Sequence, residues 1–169
     1  MFYPCFAFDR VSQISCEFLA ENNISSLILD LDNTLTTHNN PNLPEDIANW
    51  LSQMRAGGIK LIILSNNSSE RVRPFAEAVG LDFVAHGAKP LSKGLREAMA
   101  RLGSSRQNSA IVGDQVFTDV LCGNLAGVRS VLLKPIEYES FLFFKLKRLI
   151  EKPIISAYNR KTHRKEKKK

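Results

Sequence analysis

The stretch Ser26-Leu-Ile-Leu-Asp30-Leu-Asp32-Asn-Thr34-Leu35 decides the fold. Its first residues form a short apolar run that stops at two acids. That length and content suit a strand buried on both faces, the pattern of a parallel sheet. Working outward, Val11 to Asn22 predicts a short helix behind an irregular, aromatic N-terminal stretch. Downstream, turn-rich Thr36–Pro41 leads to Pro44-Glu-Asp, which opens a helix running to about Arg55 and ended by Gly57-Gly58. Ile59–Leu64 is a second buried strand, Ser68–Val79 a helix stopped by Gly80, and Asp82–Ala85 a short strand. Ser92–Leu102 is a helix ending at Gly103, Ser109–Val112 a strand, Phe117–Ala126 a helix, and Ser130–Leu133 a strand. Strands alternating with helices of this length predict an α/β fold, a single Rossmann-like parallel sheet flanked by helices.

The 169 residues amount to one ordinary domain. Hydrophobic residues at 44% and charged residues at 24% exclude a disordered chain or a fibrous repeat. Three cysteines (Cys5, Cys16, Cys122) match neither a CxxC pair nor a zinc ribbon and read as free thiols. No apolar run is long enough for an ordinary spanning helix, and the N-terminus lacks the basic head of a signal peptide. A cytoplasmic protein is the expectation. The formal charge of +6 is concentrated: residues 160–169 (RKTHRKEKKK) hold seven of the 23 Lys+Arg and one of the 17 Asp+Glu, leaving the remainder neutral. A tail of that kind suits RNA, DNA or an anionic lipid surface, or is simply a solvated end.

In an open parallel sheet the ligand site lies at the carboxyl ends of the strands. Those ends carry Asp30-Leu-Asp32-Asn33-Thr34, Ser65-Asn66-Asn67, His86 with Lys89-Pro90, and Gly113-Asp114. Asp30 and Asp32, two positions apart at a strand end, point roughly the same way because the strand repeat is two, and such close like charges call for a shared cation or proton. With Asp114 they form an oxygen set suited to Mg²⁺. Ser65 and the amides of Asn66 and Asn67 suit an anion, and Lys89 supplies a positive charge. Together these bind a phosphoryl group and stabilise its transfer. Singly, each has an ordinary reading: a solvated Asp-x-Asp turn, a Ser-Asn-Asn turn, or a cap by Asp114, Thr118 or Asp119. The case rests on four of them arriving in order, each at a strand end. His38 and His86 read as polar loop residues, and Trp50 and Cys122 as packing.

These residues resemble the haloacid dehalogenase (HAD) superfamily. Asp30-Leu-Asp32-Asn33-Thr34-Leu35 looks like its motif I in the DxDxT phosphatase form, Ser65 like motif II, Lys89-Pro90 like motif III, and Gly113-Asp114-Gln-Val-Phe-Thr-Asp119 like motif IV. The wording is similar to the YqeG-like subgroup of class IIIA, related to phosphatidylglycerophosphate phosphatases. The resemblance implies Asp30 as nucleophile, Asp32 as acid and base with its backbone carbonyl toward Mg²⁺, and Lys89 offsetting charge. Ser65 and the Asn66 amide would hold phosphoryl oxygens. Asp30, Asp32 and Asp114 form the implied metal set, with Asp119 beside it. Lys93, one helical turn on, competes with Lys89 for the motif lysine. A receiver domain also gathers acids and a lysine, but there the phosphorylated acid ends a middle strand, whereas Asp30 is expected to end the first.

HAD enzymes often carry an inserted cap. Here 29 residues separate Leu35 from Ser65 and 23 separate Ser65 from Lys89, room only for core elements. A capless site suits a phosphate on a macromolecule or a membrane lipid, or a soluble metabolite if a second subunit closes it. Glu137–Lys152 reads as a basic amphipathic helix: Leu142, Leu146 and Leu149 share a face flanked by Phe143 and Ile150, while Lys145, Arg148 and Lys152 share another. It suits the last helix of the domain, a membrane surface, or both. The expected organisation is a phosphatase domain over 1–152 and a basic tail over 153–169. The expected partners are a phosphorylated substrate and a membrane surface, with an RNA- or ribosome-binding module as the alternative from a different class.

Overall fold

The computed structural model describes residues 1–37, 42–137 and 149–160. Six strands form one parallel sheet: β1 (Phe6–Phe8), β2 (Ser26–Leu29), β3 (Lys60–Leu64), β4 (Asp82–Val84), β5 (Ser109–Gly113) and β6 (Arg129–Leu133), in the order β1-β6-β5-β2-β3-β4. The helices are α1 (Cys16–Glu21), α2 (Glu45–Ala56), α3 (Ser69–Val79), α4 (Lys93–Leu102) and α5 (Leu121–Ala126), followed by helical residues 149–160.

After a polar first residue (Ser26, Lys60 and Ser109), the central strands β2, β3 and β5 are apolar because both faces are covered. Leu27 and Leu29 of β2, Leu61 and Ile63 of β3, and Ala110 and Val112 of β5 face one core, shared with α1, α2 and α3. The alternate residues Ile28, Ile62, Leu64 and Ile111 face a second core built with α4 and α5. The chain steps outward from β2 in both directions, through β3 and β4 on one side and β5 and β6 on the other. The reversal opens a crevice between the carboxyl ends of β2 and β5, the usual place for a ligand in such a sheet. Gly80 and Gly103 close α3 and α4 in left-handed conformation, at φ 62° and 57°.

Several elements differ from the sequence expectation. The N-terminal stretch is not irregular throughout: Phe6–Phe8 forms an edge strand paired to Val131–Leu133, too short to show a period. Phe6 and Phe8 both pack edge-on against Phe18, centroids 4.9 and 5.0 Å away. Asp30 therefore follows the second strand in chain order, in the middle of the sheet, and not the first as expected. The helix expected over Val11–Asn22 is a 3₁₀ turn (Val11–Gln13) and then α1. That expected over Phe117–Ala126 starts as a π-turn (Val116–Val120).

The amphipathic reading of Glu137–Lys152 needs correction where the chain is described. Leu149 and Ile150 are 59% and 53% exposed, whereas Glu151 is fully buried. Ile154 and Ile155 pack on Val116, Val120 and Leu132 instead. The helix also runs across the boundary expected after Lys152. Leu142, Phe143, Lys145, Leu146, Arg148, His38 and tail residues 161–169 lie outside the described residues.

Trp50 is buried in the first core, and its Nε1 donates to the Ile14 carbonyl at 2.8 Å. Trp50→Phe keeps an aromatic ring but leaves that carbonyl unmet. It should lower the unfolding free energy by about 2 kcal/mol, measured by urea titration with far-ultraviolet circular dichroism. An unchanged urea midpoint would contradict this role.

Candidate active site

Asp30 follows the last residue of β2, and its N–H donates to the Val112 carbonyl at 2.9 Å, tying the β2 and β5 ends together. Its carboxylate meets Lys89 Nζ at 2.7 Å. The same ammonium meets Asp119 Oδ1 at 2.7 Å, and Lys89 and Asp119 side chains are only 2% and 1% exposed. Asp114 completes the floor: Asp30, Asp114 and Asp119 each offer a carboxylate oxygen within 4.8 Å of the others. Lys93, by contrast, is exposed at the start of α4.

The neighbouring loops hold this group in place. Asn66 grips the backbone of Lys89 from both sides: its Oδ1 accepts from Lys89 N–H at 2.7 Å, and its Nδ2 donates to the Lys89 carbonyl at 3.0 Å. The Asn67 N–H donates to Ser65 Oγ at 3.1 Å, placing that hydroxyl at the end of β3. Asp119 Oδ2 accepts from Gln115 N–H at 3.1 Å and Thr118 Oγ1 at 3.2 Å. A Cβ at Gly113 would overlap Asp119 Cγ, so only glycine lets this carboxylate lie across the β5 end. Glu151 reaches in from the C-terminal helix and accepts from the Val116 and Phe117 N–H groups at 2.8 and 3.3 Å, fixing the turn that carries Asp119.

Asp32 does not share this floor. The strand stops at Leu29 and the chain turns at Asn33, whose φ is 60°, so the strand repeat no longer aligns the two carboxylates. Asp32 Oδ2 accepts from Asn67 Nδ2 and Oδ1 from Arg71, both at 2.6 Å. Asp32, Asn67 and Arg71 thus form a second, shallower group. Arg71 and Glu151 escaped the sequence reading; the only trace of Arg71 was a cation in the first turn after Ser65-Asn66-Asn67.

The electrostatics follow from burial. Removal from water pushes the Asp30 carboxyl from its ordinary 3.8 up to about 7, with Lys89 opposing the rise and Asp119 adding to it. Burial works against the charged form of Lys89 too, but Asp119 and Asp30 outweigh it and hold the ammonium above the ordinary lysine range. Three carboxylates around one ammonium leave negative charge uncompensated, and the donors are all hard oxygens. That set fits a divalent cation such as Mg²⁺.

The parallel sheet and the acid–lysine cluster at its switch point define a HAD-type phosphatase. A family model described as mitochondrial PGP phosphatase matches residues 1–136. The chain is 34% identical over 154 residues to a probable phosphatase, YqeG, of Bacillus subtilis, covering 91% of this chain and 90% of that protein. It is 24% identical to phosphatidylglycerophosphate phosphatase 1 of Arabidopsis thaliana, covering 80% of this chain and 42% of that protein. The fold is similar to that of the cobalt-bound deoxy-D-mannose-octulosonate 8-phosphate phosphatase of Haemophilus influenzae, at 16% identity and TM-score 0.55 over 75% of each chain. A 4-nitrophenylphosphatase of Thermotoga maritima shares it at 14% identity and TM-score 0.54, over 70% of this chain and 89% of that one. The chain belongs to the PGP phosphatase family, on the YqeG-like side.

The raised Asp30 value has a measurable consequence. Between about pH 4 and about pH 7 the folded chain keeps a proton on Asp30 that the unfolded chain has lost. Stability therefore falls with rising pH through that window, while the raised lysine acts only at much higher pH. In chelator-treated protein, Asp30→Asn should remove this component, so its unfolding free energy relative to wild type should grow from pH 5 to pH 8. A constant difference across that range would contradict the burial argument.

Proposed function

We propose that this chain is a Mg²⁺-dependent phosphomonoester hydrolase that works through an aspartyl-phosphate on Asp30, with phosphatidylglycerophosphate at a membrane surface as substrate. The observation that carries the reading is the placement of Asp30 at the strand end, paired to buried Lys89 within reach of Asp114 and Asp119. Asp30 attacks phosphorus in line with the leaving oxygen, splitting hydrolysis into two easier displacements. Lys89 keeps the nucleophile and the incoming phosphoryl oxygens from repelling each other. Ser65 Oγ and the Asn66 N–H receive those oxygens, while the Asn66 side chain holds Lys89. Asp32 supplies the proton to the leaving oxygen and then takes one from the attacking water.

Asp30, Asp114 and the Asp32 carbonyl would hold Mg²⁺, with Asp119 positioning Lys89 beside it. The ion would draw charge from the transferring phosphoryl oxygens.

The lipid part of the reading is supported by the substrate for which the Arabidopsis relative is named and by the absence of an inserted second unit among the described residues. Exposed Leu149 and Ile150 lie on the same helical stretch as exposed Lys152 and Arg160, a combination that suits a peripheral contact with an anionic surface. No described helix is long and apolar enough to cross a membrane.

Phosphate release from a panel decides the matter: phosphatidylglycerophosphate in anionic vesicles, sugar phosphates, nucleotides and 4-nitrophenyl phosphate, each with Mg²⁺ or chelator. The lipid should lead and chelator should abolish turnover. Asp30→Asn should cost at least about 10³-fold, about 4 kcal/mol of barrier, with the fold retained. Preference for a sugar phosphate or nucleotide would replace the lipid reading, and an active Asp30→Asn would remove the nucleophile.

A further inference from the structure

The shallow group beside the catalytic floor has a feature that hydrolysis alone does not explain. Lys89 is shared between Asp30 and Asp119 and almost fully enclosed, at 2% side-chain exposure. Arg71 lies nearer the mouth, 20% exposed, with its NH2 on Asp32. A guanidinium presents five donors in a planar fork suited to bidentate recognition of phosphate or carboxylate. Among the described residues, nothing accepts from the buried Nε of Arg71. The fork is therefore incompletely used, and it rests on Asp32, the carboxylate to which the reaction assigns proton transfer.

Geometry links these facts. Asn67 and Arg71 approach different oxygens of Asp32, both at 2.6 Å, and so set the direction of its carboxylate, toward α3. Asn67 belongs to the Ser65 loop and stays where that loop is. Arg71 sits on a long, flexible stem in the first turn of α3, with Asp32 as its anchor. An anion arriving at the mouth competes with Asp32 for the fork and offers acceptors that Nε lacks.

We propose that Arg71 is a substrate-recognition residue: its guanidinium takes a second anionic group, a phosphodiester carried beyond the scissile phosphoryl group, and in doing so releases Asp32 toward the leaving oxygen. The inference rests on the phosphomonoesterase reading above, whose lipid substrate carries such a phosphodiester, and assigns Arg71 to that second phosphate. One anion is met on the floor by Lys89 and the Ser65 loop, the other at the mouth by Arg71. Recognition and placement of the acid then become one event.

The test uses two soluble alkyl phosphates with the same reacting end: propane-1,3-diol monophosphate, and the same molecule with its far hydroxyl carried as a methyl phosphodiester. With wild-type protein, kcat/KM should favour the diester-bearing compound by about tenfold or more, the scale of one charge-assisted contact. The gain should be divided between KM and kcat, because binding also frees Asp32. In Arg71→Gln the preference should collapse to within about twofold, and Arg71→Lys, which keeps charge but loses the fork, should fall between. A purely structural role would slow both compounds equally and leave the ratio intact, which would overturn the proposal. So would a wild-type ratio near one, a result that does not depend on either variant folding. If wild-type protein with Mg²⁺ hydrolysed neither compound nor 4-nitrophenyl phosphate, the underlying reading would fail, and this one with it. Equal hydrolysis of both alkyl phosphates would overturn the Arg71 proposal alone.

Discussion

An ammonium shut away from water between Asp30 and Asp119 is the constraint around which the site is built. Each buried charge costs several kcal/mol in lost hydration, which is recovered only when partners are close and well directed. Lys89 meets that condition, and its proton is held more tightly than in water. The acids do not: three carboxylates converge on a single cation, and Asp30 is driven toward its neutral form. The floor is thus short of positive charge, and a cation or the proton on Asp30 makes up the difference. The proposed attack by Asp30 needs the first of these.

The rest of the fold serves that arrangement. Strands covered on both faces fix the ends of β2 and β5 relative to each other, and the Asp30–Val112 hydrogen bond carries the ladder to the edge of the crevice. Asn66 clamps the Lys89 backbone, and Gly113 leaves room for Asp119. Glu151 holds the turn after β5 from the far end of the chain. That contact makes the C-terminal helix part of the site's support, and the same helix presents Leu149 and Ile150 outward.

The β2 run and the acids that end it were legible because a doubly buried strand has a plain signature and because charged residues rarely cluster at one sheet edge. The same logic located Ser65, Lys89 and Asp114. Length and local turn geometry were not legible: Phe6–Phe8 is too short to display a period, and the π-turn at Val116 obeys no simple repeat. Asp32 was misdirected for a related reason, since the alignment of two acids holds only while the strand continues and β2 stops before either. Arg71 and Glu151 were invisible because their meaning lies in tertiary partners, Asp32 and the Val116 amide, 39 and 35 residues away. The outer face of the last helix misled because its buried side is set by Glu151, a residue that hydropathy places outside.

Trapping the covalent intermediate tests the account most directly. Wild-type protein, turning over a radiolabelled phosphomonoester with Mg²⁺, is quenched in acid and digested, and the labelled peptide is sequenced by mass spectrometry. The account predicts an acid-stable, hydroxylamine-labile phosphoryl group on Asp30. A phosphoryl group on Ser65 or Asp32, or continued turnover with no protein-bound label under conditions that stabilise acyl phosphates, would contradict it.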